Sequence, residues 1–319
     1  GADLRGANLR GANLEQAVLE GCDLTGADLT GTNLKRTVLA RAVLRGVDLS
    51  GQDLEMTVLV GADLRSADLT GARLLRAPMQ QANLSGANLT RAVFRTALLD
   101  GAVLAGAVVD KTVFRGVSFS DVDARSLPLK GLSLTYCSFK DAPLDGVDFT
   151  GCDLSSSDFS GASLEGAIFT GAVLTQANLM KANLARALLA GVQAKSAFFG
   201  EAALRGASLS NARLRYATFT KADLRGALFV GADLRETQLV GVDAEGAFFG
   251  QARLHYADLS NANLTSADLT GADLFMANLH NIRGDKAKWA GAALVGVKRT
   301  DIDRLEAEVW LPPAFRTPA

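Results

Sequence analysis

Apolar residues recur along this chain at every fifth position, beginning with Leu4, Leu9, Leu14, Leu19, Leu24 and Leu29. From Leu4 to Leu279 every such position is apolar, which makes 56 consecutive repeats, with Phe at sites such as Phe94, Phe114, Phe119, Phe149, Phe169 and Phe219 and Ala at only three. Two residues before each stands a second small or apolar position, usually Ala. A period of five fits neither common element. On an α-helix each repeat would advance about 500°, spreading the leucines round the whole circumference. On a straight strand an odd period would send successive leucines to opposite faces. The chain must therefore turn a corner within each repeat: a short extended piece carries the Ala and Leu inward, and a corner often holding Gly (Gly6, Gly11, Gly21) follows.

The run GADLR, GANLR, GANLE, GCDLT, GADLT, GTNLK and its continuation over residues 2–281 resembles the pentapeptide-repeat family. That resemblance implies an all-β fold, a right-handed quadrilateral parallel β-helix in which four repeats make one square coil. Neighbours on a face are then 20 residues apart, the chain makes about 14 coils, and at about 4.8 Å per step the rod is roughly 65 to 70 Å long. Residues 1–299 form the β-helix and 300–319 a C-terminal cap helix and tail. TDIDRLEAEVW reads as a short helix with Thr300 or Asp301 as N-cap and Ile302, Leu305 and Val309 at helical spacing, ended by Pro312 and Pro313. A solenoid must cover its open end, so Trp289, Ile302, Leu305 and Trp310 are expected to cap it. In quinolone-resistance members of the family a C-terminal segment mediates dimerisation, which makes a homodimer contact the alternative. The chain starts at Gly1 in mid-pattern, as a fragment with sequence missing upstream would.

Departures from the pattern conserve volume, as a packed interior requires. The three central alanines each follow a Val at the other inward site: Val122 with Ala124, Val192 with Ala194, Val242 with Ala244. From Thr112 to Cys137 the usual Ala gives way to Thr112, Val117, Val122, Leu127, Leu132 and Cys137, and Pro128 and Pro143 lie close by. A kink or coil expansion is expected near 120–145. The segments 191–209 and 241–259 are near copies 50 residues apart, two and a half coils, so equivalent side chains should face opposite sides.

Composition narrows the function. Six Pro, three Tyr, two Trp and two His are poor stock for catalysis, and the net charge of −1 marks neither a nucleic-acid binder nor a strongly acidic mimic of nucleic acid. No apolar run reaches the roughly 18 residues that span a bilayer, so a cytoplasmic, soluble protein is expected. Phosphate loops, G-x-S-x-G, H-E-x-x-H and C-x-x-C are all missing from the sequence, and no enzyme, cofactor or metal site is predicted. Cys22, Cys137 and Cys152 hold the inward small position on different faces and should be buried, unpaired thiols. His255 and His280 follow a Leu and should point outward. The Asp and Asn before each Leu should bond to backbone at the corner.

Two outward surfaces remain. The face centred on Leu14, Leu34 and every twentieth residue thereafter carries 11 basic and 7 acidic residues and all three tyrosines. Its members include Lys35, Arg36, Arg73, Arg76, Arg95 and Arg115, and its densest part is RLRY with RLHY: Arg213, Arg215, Tyr216, Arg253, His255 and Tyr256. Arg beside aromatics suits phosphate, nucleic acid or an acidic protein. On another face Ile168, Leu188, Leu228 and Phe248, with Val230 beside them, stand where Asp or Asn is usual, and an exposed apolar ladder marks a contact site. The leading expectation is a non-enzymatic scaffold presenting a rigid rod to a protein partner. By resemblance, the rivals are a DNA-gyrase-binding protein that imitates duplex DNA and confers resistance to topoisomerase poisons, and a repeat module of a larger secretion adaptor or effector.

Overall fold

One residue separates the Ala-type and Leu-type positions of each pentapeptide, so in an extended segment both point the same way. In the computed structural model, which describes residues 1–302, both are buried from Cys22 to Leu279 apart from Gln52. The corner that follows is a type II turn. Its closing bond runs from the Ala7 N–H to the Leu4 carbonyl at 3.1 Å, and the residue before Ala7, Gly6, has φ +64°. The left-handed corner position is so general that Arg76, Tyr136, Tyr216 and Tyr256 occupy it too, at φ 53–65°.

The five N–H groups of a repeat each find an acceptor. Leu4 donates to the Asp23 carbonyl at 2.9 Å, Gly6 to Thr25 at 3.0 Å, and Asp23 back to Ala2 at 3.0 Å. The turn bond takes a fourth. The fifth, Arg5 N–H, donates to Asp3 Oδ1 at 3.1 Å, as Thr25 N–H does to Asp23 at 3.0 Å. The outward Asp or Asn is thus the acceptor for the N–H two residues on, as expected from its place beside the corner.

Parallel bridges join residues 20 apart, from Asp3↔Asp23 to Asn278↔Lys298. Four pentapeptides therefore close one turn of a square tube. At one corner the bridges lengthen into true strands: β1 (Arg73–Leu75), β2 (Val93–Arg95) and β3 (Val113–Arg115), parallel and in that order.

Side chains 20 apart stack inside. Phe119, Phe139 and Phe159 lie in one pile with centroids 4.9 Å apart, and Phe199 sits on Phe219 at 4.6 Å. Neighbouring piles meet edge to face, as at Phe149 and Phe159, 5.8 Å apart. Most polar residues at the small inward site donate to the carbonyl 23 residues earlier, Thr57 Oγ1 to Leu34 at 2.7 Å and Ser157 Oγ to Leu134 at 2.6 Å, whereas Thr237 Oγ1 donates to Leu234 at 2.7 Å. Cys137 and Cys152 do the same, with Cys152 Sγ 3.0 Å from the Leu129 carbonyl, whereas Cys22 Sγ accepts the Ala2 N–H at 3.3 Å. All three are buried and free. Burial pushes the Cys137 thiol up to about 12 and the Cys152 thiol to about 11.

The ladder fails where the inward sites are overfilled. Buried Val122, Leu127 and Leu132 replace alanines, and among the described residues no bridge joins Asp123 or Pro128 to the turns before or after. The N–H groups of Leu104, Gly106, Val109 and Lys111 have no backbone acceptor there. Proline alone is not the cause, because Pro78 sits at the same repeat position and still bridges Leu98. Added volume separates the turns, and Pro128 and Pro143 lack the N–H that would tie them back.

The near copies fall on opposite sides: Phe198 bridges Asn178 and Thr218, Phe248 bridges Leu228 and Asp268, and their exposures are 45% and 44%. One outward assignment is corrected. His280 is buried, and its Nδ1 accepts the Asp301 N–H at 3.1 Å, because the chain leaving the last turn folds over it. At the two ends the inward residues Leu4, Leu9, Leu14 and Leu19, and likewise Ile282, Trp289 and Leu294, are half-buried against the core. Ile302 is 66% exposed. Leu305 and Trp310 lie outside the described residues.

Candidate functional site

The 20-residue register assembles outward residues into ladders, and one of them is apolar at four of five successive positions, with Ser208 between. Ile168, Leu188, Ser208, Leu228 and Phe248 are successive parallel partners, bounded by Asp148 before and Asp268 after. Leu188 is 45% exposed, Phe248 44% and Val230, at the adjoining corner, 43%. Each of these residues replaces the Asp or Asn that would accept the N–H two positions on. Thr170, Ala190, Val230 and Gly250 accordingly make no N–H bond to the side chain two residues back, unlike Thr150, which donates to Asp148 Oδ1 at 2.8 Å. The strip therefore gives up one local hydrogen bond per turn and gains exposed apolar surface, a trade that does not serve the isolated fold.

The basic and aromatic cluster is brought together as the register requires, but with its charge cancelled. Arg213, Asp233, Arg253 and Asp273 alternate along one ladder. Arg215 bonds Glu236 at 2.6 Å and lies over the Tyr216 ring at 4.7 Å, and Arg235 bonds Asp233 at 2.6 Å. His255 Nε2 stands 2.6 Å from Asp273 Oδ2. The Arg235 hydrogen bond holds the Asp233 carboxyl below the usual carboxylate range. Tyr216 and Tyr256 flank a shallow groove of about 530 Å³ with Glu236 and Gln238 on its floor. Counting charges face by face finds eleven bases here, whereas the intervening row Asp233 to Glu236 decides what a ligand meets.

A second group on the same face, lower on the rod, is different. Arg76, Arg95 and Arg115 line a cleft of about 340 Å³ with Tyr136, over whose ring the Arg115 guanidinium sits at 5.3 Å. The legible signal was the spacing, since Arg95 and Arg115 are 20 residues apart and Arg76 precedes Arg95 by 19. Among the described residues no group of three or more His, Cys, Asp or Glu is placed to hold a metal ion, and no helix is long and apolar enough to cross a membrane.

Comparison with known proteins agrees with this architecture. The family model described as pentapeptide repeats (8 copies) matches nine overlapping or adjacent stretches, residues 1–36, 42–80, 57–95, 77–116, 128–161, 157–192, 195–229, 212–251 and 245–281. The gap between 116 and 128 falls on the segment where the ladder fails. No curated protein matches, whereas 32 chains of solved structures do. One is HetL from the cyanobacterium Nostoc, a pentapeptide repeat protein involved in heterocyst differentiation regulation: 27% identical, covering 79% of this chain and 90% of HetL, TM-score 0.36. Another is QnrB1, a plasmid-mediated fluoroquinolone resistance protein: 21% identical, covering 68% of this chain and 95% of QnrB1, TM-score 0.39. A third, from the Arabidopsis thaliana thylakoid lumen, is 33% identical over 37% of this chain and 65% of its own, TM-score 0.23. With a repeat match over most of its length and parallel bridges at a register of 20 residues on both sides of the segment 121–130, this chain belongs to the pentapeptide-repeat family, whose members fold as right-handed β-helices.

Proposed function

We propose that the chain is a non-enzymatic interaction scaffold whose rigid tube presents the strip Ile168, Leu188, Leu228, Phe248 and Val230 to a protein partner. One observation carries the reading: four of five successive turns at this strip replace the Asp or Asn acceptor with a large apolar side chain in register, Leu188 and Phe248 exposed and Ile168 and Leu228 half-buried. Fully covering a Leu or Phe contributes on the order of 1.5–3 kcal/mol, so the strip can anchor a complex. Duplex mimicry has weaker support, because the net charge is −1 and no face carries the dense negative charge of a nucleic-acid backbone.

The test is Leu228→Asp. The new carboxylate restores an acceptor for the Val230 N–H, so stability should hold or rise, by up to about 1 kcal/mol. Association, with a second copy or with a partner captured by the wild-type rod, should fall at least about tenfold, because a charge is buried at the contact. Unchanged association by sedimentation velocity and pull-down, with stability intact, would sink the assignment. A gyrase supercoiling assay with a quinolone addresses the rival, and no protection at stoichiometric protein is expected.

A further inference from the structure

We infer that the corner formed by Arg76, Arg95, Arg115 and Tyr136 is a binding site for a phosphate monoester carried on a protein segment. The corner departs from the rest of the tube in its backbone. Most corners close with a type II turn bond, but at Ala97 and Val117 none forms among the described residues, and at the corners before and after them, at Ala77 and Cys137, the turn bond is weakened, Cys137 N–H also donating to Ser157 Oγ at 3.1 Å. These four corners are stacked on one another, and β1, β2 and β3 run into the first three. Arg95 and Arg115 are direct parallel partners, so they leave the sheet about 4.8 Å apart. Arg76 occupies the next corner position one turn earlier, at φ 53°.

Charge balance singles out the same place. Where arginines are stacked on the upper part of this face, a carboxylate separates them, as Asp233 separates Arg213 from Arg253. Around the lower cluster, the ladder positions 73 to 133, 75 to 135, 76 to 136 and 78 to 138 contain no Asp or Glu. No ion pair involves Arg76, Arg95 or Arg115 among the described residues. Tyr136 holds the Arg115 guanidinium by its face, 5.3 Å away, which leaves the N–H edge open to an acceptor. Gly116 keeps the cleft recessed: a Cβ there would meet Thr96 Cγ2 at 3.3 Å. Three planar forks with no counter-charge suit a dianion with several equivalent oxygens, a phosphate monoester, better than a single carboxylate.

The surroundings select the carrier. The cleft is open and bordered by exposed Val113 and Leu98, at 37% and 40%, which fits a peptide laid across it rather than an enclosed metabolite. A duplex needs a longer basic track, and here the track stops at Asp53, already paired with Lys35 at 3.0 Å, and at Asp153 above. The site is on a different face from the apolar strip, so Leu228→Asp should leave it unaffected.

The experiment uses fluorescence polarisation with a capped peptide library bearing one fixed phosphoserine, the same library with serine, inorganic phosphate as competitor, and a mixed-sequence DNA duplex. The phosphorylated library should bind the wild-type chain at least about tenfold more tightly than the serine library, and Arg95→Gln with Arg115→Gln should remove that difference. Tyr136→Leu should weaken it several-fold, while Arg225→Gln, on another face, should not. Arg95, Arg115 and Tyr136 are exposed and Arg225 is half-buried, and thermal midpoints measured for each variant verify folding. Equal binding of both libraries, phosphopeptide binding that survives the double substitution, inorganic phosphate binding as tightly as the peptide, or tighter binding of the duplex would each overturn the inference.

Discussion

A side chain in this molecule has its environment set by its place in the pentapeptide, and the consequence is clearest for polar residues that point inward. Thr37, Thr57 and Ser157 stand where alanine is usual and are nevertheless buried, because the carbonyl 23 residues earlier lies within reach. The substitution Thr57→Val keeps the shape and removes the donor. Leu34 retains its turn bond from Thr37 N–H, so the expected loss is about 1 kcal/mol, read as a lower urea midpoint at unchanged slope. The inward assignment of these residues and of the cysteines was legible from spacing alone. Their acceptor was not, since it belongs to the preceding turn. His280 shows the limit of the same logic: its repeat position points outward, and only the path of the chain at Asp301 buries it.

At the scale of the coil, the segment 121–130 is the weak link. Its interior is as apolar as the rest, with Val122, Leu127 and Leu129 buried, yet it contributes no bridge to its neighbours among the described residues. Local opening follows the backbone bonds rather than the apolar burial. Amide exchange should therefore be fastest at Leu104, Gly106, Val109, Lys111 and Ser126 and slowest along the stacks of Phe119 and Phe139 or Phe229 and Phe249. Uniform protection across the two sets, measured by mass spectrometry, would contradict the interrupted ladder. The sequence marked this region by its large inward residues and its prolines. How far the interruption reaches depends on both neighbouring turns, and Pro78 shows that the residue type alone does not decide it.

For the molecule as a whole, the outward carboxylates tie stability to pH. Hydrogen bonds from the arginine two residues on hold the Asp3 and Asp123 carboxyls at about 2. Asp63, between Arg65 and Arg45, lies further below the usual carboxylate range, chiefly through its bond to Arg65. A folded-state value below the unfolded one means stabilisation that is complete above the unfolded pKa and lost as pH falls through the folded one. The urea midpoint should thus stay level through neutral pH, decline from about pH 4 and continue falling to about pH 2. Asp63→Asn should flatten part of that decline. Most of these pairs are exposed, so salt should weaken the effect. A midpoint already falling at pH 6 would place the controlling groups elsewhere.

The five-residue period by itself determined that each repeat turns a corner with its leucine and its alanine-type residue inside, because neither a helix nor a straight strand can bury leucines at that spacing. Inward cysteines follow from that period; the opposed near copies and the apolar row at Ile168, Leu188, Leu228 and Phe248 follow once the resemblance to pentapeptide-repeat proteins sets four repeats to a coil. What only the tertiary structure decided was the state of the charges: whether an arginine meets a carboxylate depends on contacts across turns and around corners, at distances where an ångström separates a bond from none. So Arg215 is neutralised by Glu236, while Arg76, Arg95 and Arg115 line one cleft whose walls hold no carboxylate.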